Sequence, residues 1–162
     1  NHTFTTERLR DTLSEIPFSV VHLATHGQFS SRAEDTFLVT WDGRINVQDL
    51  DALLQPRGRD PKQPLELLVL SACQTATGDK RAALGLAGIA LRSGARSTLA
   101  TLWQVNDEST STLMVEFYQQ LTANPGMSKA AALRAAQLSL LKQPQYQQPF
   151  YWAPFVLVGN WL

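Results

Sequence analysis

The chain has 162 residues, 44% of them hydrophobic, enough to bury one core and fitting a single domain over residues 1–162. Lysine plus arginine and aspartate plus glutamate number 14 each, so no net field recruits nucleic acid or an anionic membrane. One cysteine excludes an internal disulfide and favours a reducing compartment, the cytoplasm; no apolar stretch is long enough to span a bilayer, and residues 1–20 lack the pattern of a signal peptide.

In chain order, Leu9, Leu13 and Ile16 recur at i, i+4 and i+7 and predict a short amphipathic helix. The abrupt start is read as a cut from something longer. Val20 and Val21 then open an apolar run that ends at Gly27, a buried strand with His26 at its end. FLVTWDGRINV places two extended runs around Asp42-Gly43 and predicts a hairpin that is read as a surface insertion. Residues 55–64, rich in proline and basic residues, form an exposed loop, by default a connector. LELLVLSAC is a second buried strand, GLAGIALRSGA a helix closed by Gly94, and STLATLW a third strand. Asn106 or Asp107 caps a helix whose buried face carries Met114, Phe117, Tyr118 and Leu121, and Pro125-Gly126 ends it. Ser128 caps a further helix with Leu133, Ala136, Leu140 and Leu141 inward, and PFVLVGNW is the last strand.

Strands alternating with helices predict an α/β sandwich with a mostly parallel sheet flanked by helices. Sites in such sheets gather at the carboxyl ends of the strands. His26, Cys73 and the Asn106-Asp107-Glu108 group each fall at such an end. A thiol attacks as the thiolate, and an imidazole both favours that form and protonates a leaving amine. The plainer readings are a Cys73 that packs as a small hydrophobe, a His26 that bonds a loop, and a Gly27 that only makes a turn. Alternatively, the amides of Gly27 and Cys73 form an oxyanion hole. His22, inside the strand, is read as structural. Trp103 is read as a core or interface aromatic before a groove wall. No glycine-rich phosphate loop directly follows a strand and no residues have metal-ligand spacing, so no cofactor and no catalytic metal are expected.

THGQF from Thr25, LSACQTATGD, LGLAGIALRSGARSTLATLWQVND and YWAPFVLVG resemble successive blocks of the CHAT family, caspase-like cysteine peptidase domains often joined to tetratricopeptide repeats. His26 and Cys73 stand in that order 47 positions apart, close to the separation of about 50 in caspases, although Ser-Ala-Cys-Gln-Thr is not the caspase signature itself. The resemblance implies a caspase-like fold related to separases and gingipains, with His26 and Cys73 as the catalytic dyad. It also implies that this is the C-terminal portion of the domain, with N-terminal strands and a helix missing before residue 1. The sheet is then expected to expose an edge. A preference for basic residues before the cut, as in separase-like members, makes Asp79, Asp107 and Glu108 candidate substrate-binding carboxylates. Asp107 and Glu108 equally fit a helix N-terminus and Asp79 a solvated turn. The reading is a regulated endopeptidase of bacterial signalling, defence or cell death, acting on protein substrates beside a tetratricopeptide-repeat region or an activating protein. The alternative is a non-catalytic interaction or regulatory module.

Overall fold

The computed structural model describes residues 2–54, 64–75, 89 and 94–162, with residues 72–75 as backbone alone. Helix α1 (Thr6–Glu15) begins at Thr5, whose hydroxyl accepts from the Arg8 amide, and the Asp42 carboxylate accepts from the Thr6 amide at 3.0 Å. This last bond pins the start of α1 to the hairpin turn and holds the exposed Asp42 carboxyl below its ordinary value. The apolar stripe of α1 buries Leu13, whereas Ile16 lies past the last turn and is exposed.

Strand β1 (Val20–Phe29) is followed by the hairpin β2 (Phe37–Thr40) and β3 (Gly43–Asn46), then helix α2 (Val47–Leu54) and strand β4 (Leu67–Thr75). Strand β5 (Ser97–Thr101), helices α3 (Asp107–Ala123), α4 (Lys129–Leu141) and α5 (Pro149–Trp152), and strand β6 (Phe155–Gly159) follow, with short 3-10 turns at Ala33–Asp35 and Pro144–Tyr146. The sheet order is β3-β2-β1-β4-β5-β6. Strands β1, β4 and β5 are mutually parallel, and the flanking β2, β3 and β6 run antiparallel to their neighbours. The mixed α/β sheet flanked by helices has the layout of a caspase-like sandwich, with its parallel part confined to the central three strands.

The hairpin is part of this sheet and not an insertion upon it. Thr40 pairs with Gly43, so the turn residues are Trp41 and Asp42, one position earlier than expected, and Gly43 opens β3. Alternation turns Leu38 and Ile45 inward, each 1% exposed, which draws β2 onto β1 and covers the edge of the strand that carries His26. The exposed edges among the described strands are β3 and β6.

Apolar side chains leave both faces of the sheet. Leu68 and Leu70 of β4 join Leu23, Phe29, Leu38, Leu50 and Leu13 on the face covered by α1 and α2. Leu67 and Val69 join Leu99, Leu113, Phe117, Ala136 and Leu140 on the face covered by α3 and α4. Strand β4, central and apolar on both sides, reads as a continuous hydrophobic run for this reason. Gly94 adopts a positive φ of 65°, as a helix-terminating glycine does, while the preceding segment from residue 85 lies outside the described residues except for Ile89. The loop of residues 55–63 also lies outside them.

Candidate active site

Because β1, β4 and β5 are parallel, their carboxyl ends lie along one rim of the sheet. Strand β1 does not stop at Gly27 but continues to Phe29, and β4 continues past Cys73 to Thr75. The two strands pair in step from Val20 opposite Leu67 to Ala24 opposite Ser71, and the next pair is Gly27 opposite Cys73. Strand β1 thus carries one more residue than β4 in this interval, a β-bulge, and His26 falls inside it. Bulges re-aim side chains and recur beside active sites. The backbones of His26-Gly27 and Cys73 are therefore neighbours on hydrogen-bonded strands, about 4.8 Å apart as such strands are. His26 is exposed. The side chain of Cys73, and Asp79 altogether, lie outside the described residues.

Gly27 is no turn glycine. It is interior to β1, and a Cβ there would lie 2.7 Å from the Phe37 carbonyl oxygen and 2.8 Å from Leu38 Cδ2. Strand β2 approaches so closely that only a hydrogen fits, while register sets Gly27 and Cys73 directly opposite one another. The bulge is held on the β2 side as well, where the Thr25 hydroxyl donates to the Val39 carbonyl at 2.6 Å.

A second cluster lies one step down the same pair of strands. His22 Nε2 and Ser71 Oγ are 2.8 Å apart, and His22 Nδ1 is 3.2 Å from the Tyr118 hydroxyl of α3. The Ser71 side chain is buried, whereas His22 as a whole is exposed. Burial of the ring's inner side pushes the His22 imidazole below its ordinary value, and burial likewise pushes the Tyr118 hydroxyl up. The neutral imidazole serves two hydroxyls at once, donating from one nitrogen and accepting at the other. The structural role anticipated for His22 fits, but its two partners were not anticipated. Those partners come from β4 and α3, segments far from His22 in the chain.

Asp107 and Glu108 stand exposed in the first turn of α3, just beyond the rim. Asn106 caps that turn, its Oδ1 accepting from the Ser109 amide at 3.0 Å. Both carboxylates complement the helix N-terminus. Glu108 also lies beside the Tyr146 hydroxyl, whose pKa rises through burial first and this carboxylate second. Among the described residues no hydrogen bond or ion pair joins either carboxylate to His26. Trp103 donates from Nε1 to the Phe150 carbonyl at 3.3 Å, tying the end of β5 to α5 as an interface aromatic does. Among the described residues no group of three or more His, Cys, Asp and Glu side chains is placed to hold a metal ion, and no helix is long and apolar enough to cross a membrane.

A family model described as CHAT domain matches residues 1–160. Comparison with curated protein sequences returns no match.

Proposed function

Because the chain belongs to the CHAT domain family, which is caspase-like and related to cysteine peptidases, we propose that it is a regulated cysteine endopeptidase working through Cys73 and His26. The Cys73 thiolate attacks the scissile carbonyl, and the amides of Gly27 and Cys73 stabilise the oxyanion. Protonated His26 gives its proton to the departing amine, leaving a thioester on Cys73. His26, now neutral, takes a proton from water, whose oxygen attacks the thioester carbonyl. The carboxylic acid product leaves and the thiolate is restored. Asp79, Asp107 and Glu108 are the proposed carboxylates for a basic residue before the cut, with Glu108 shared between that role and Tyr146.

The observation that supports this reading is the register step, which sets Gly27 opposite Cys73 and places His26 in the bulge beside it. An adjoining tetratricopeptide-repeat region or an activating protein, in bacterial cytoplasmic signalling, defence or cell death, is the proposed setting.

The test is covalent labelling of the full-length parent protein with acyloxymethyl-ketone peptides ending in Arg, Lys, Leu or Asp, read by intact mass with and without a candidate activator. Labelling confined to Cys73, lost in both Cys73→Ala and His26→Ala, and selective for one terminal residue is the expected result. A folded protein that stays unlabelled at Cys73 even with its activator would instead be a non-catalytic interaction module.

A further inference from the structure

The cluster of Ser71, His22 and Tyr118 lies outside the proposed dyad but on the same two strands. Ser71 is only 3% exposed, which denies it contact with a substrate and rules it out as a second nucleophile. Its position in the ladder gives it a different use. Ser71, opposite Ala24, is the last β4 residue in step with β1 before the bulge, and it stands two positions ahead of Cys73. His22 is paired with Val69, so its 2.8 Å bond to Ser71 runs diagonally across the two strands. The opposite ring nitrogen is tied to Tyr118 of α3, whose ring lies at 5.8 Å between centroids. On the other side of the bulge, Thr25 and Gly27 are fixed against β2.

Burial and the backbone ladder specify the register of β1 on β4, since a one-residue slip turns every side chain of a strand to the other face. The ladder is interrupted between Ala24 and Gly27, and beside that interruption a side-chain hydrogen bond adds directional restraint, because it weakens steeply with distance and angle. We infer that Ser71, His22 and Tyr118 form a positioning relay that sets the displacement of β1 on β4 at the bulge, and through it the approach of His26 to Cys73. The inference rests on the Cys73-His26 reading, and these three are positioning residues that touch no substrate.

The experiment is the pH profile of alkylation of Cys73 by iodoacetamide in the full-length protein, read by peptide-resolved mass alongside the thermal midpoint. The variants are His26→Ala, His22→Gln, Ser71→Ala and Tyr118→Phe. Tyr118→Phe removes one hydroxyl and keeps the ring packed on Phe117, so it decides the matter if the buried Ser71→Ala does not fold. The wild-type profile is expected to turn below the value of about 8.5 of a free thiol, and His26→Ala to return it there. Ser71→Ala and Tyr118→Phe are expected to move it part of the way, slowing alkylation at pH 6.5 about threefold to tenfold. A lowered midpoint with an unmoved profile would reduce the cluster to strand stability and overturn the positioning role while leaving the dyad intact. A wild-type profile at the free-thiol position, indifferent to His26→Ala, would remove the dyad and the relay with it.

Discussion

At Gly27 a single hydrogen decides whether β2 can lie against β1. Gly27→Ala forces its new methyl onto the Phe37 carbonyl and Leu38, and the strands must part. The expected cost is about 1–3 kcal/mol, seen as a lower urea midpoint with an unchanged slope. Cys73 labelling should fall with it, since the bulge moves too. His22 gives a prediction in pH. Its folded value lies below the unfolded one, so between the two the unfolded chain binds more protons. Its contribution is complete above about pH 6.5 and is lost as pH falls through the lower, folded value. The thermal midpoint of wild type should therefore fall more between pH 7.5 and 5 than that of His22→Gln, and parallel curves would contradict the assignment. His26, Gly27 and Cys73 could be proposed as site residues from the sequence because a thiol, an imidazole and a glycine at strand ends suggest chemistry by residue type and position. Ser71 and Tyr118 were not, because a serine in a strand and a tyrosine on an apolar helix face acquire meaning only from the histidine between them.

Among the elements, those with a strong period and a cap were legible: α3 starts at Asn106 and α4 at Ser128, whose side chain accepts from the Ala131 amide. Asn106→Ala should cost about 1 kcal/mol by leaving the first turn of α3 uncapped, measurable as a shift in chemical denaturation. A null effect would mean that the neighbouring carboxylates hold the turn unaided. Helix α2 was missed because its apolar positions Leu50, Leu53 and Leu54 follow the hairpin without a break. The Asn46 side chain, which accepts from the Asp49 amide at 2.9 Å, is at once the end of β3 and the start of the helix. Leu141 was expected inward, yet it is 38% exposed while Leu140 is fully buried. The turn from Leu133 to Leu140 returns to the same face, and one residue more rotates off it by about 100°. At the far edge, Gly159 with φ 99° leaves no room for a side chain against the Arg96 carbonyl, where β6 closes on β5.

For the whole molecule, two apolar layers share one sheet, and β4 contributes to both. Phe29 and Phe117 are fully buried on opposite sides. Phe117→Ala should cost about 3–5 kcal/mol and lower one cooperative transition seen alike by calorimetry and near-ultraviolet circular dichroism. Two separated transitions would show that the layers unfold independently. The sequence by itself determined the element types along most of the described chain and the α/β class, and it supplied the candidate residues of the proposed dyad, because these depend on local period, capping and side-chain type. Strand order, the inclusion of the hairpin as the cover of β1, the bulge that sets Gly27 opposite Cys73 and the meeting of His22 with Ser71 and Tyr118 were decided by tertiary structure alone. Each is a choice of register or neighbour between segments distant in the chain, and that choice is made by the combined burial of both faces of the sheet, which no local stretch of residues encodes.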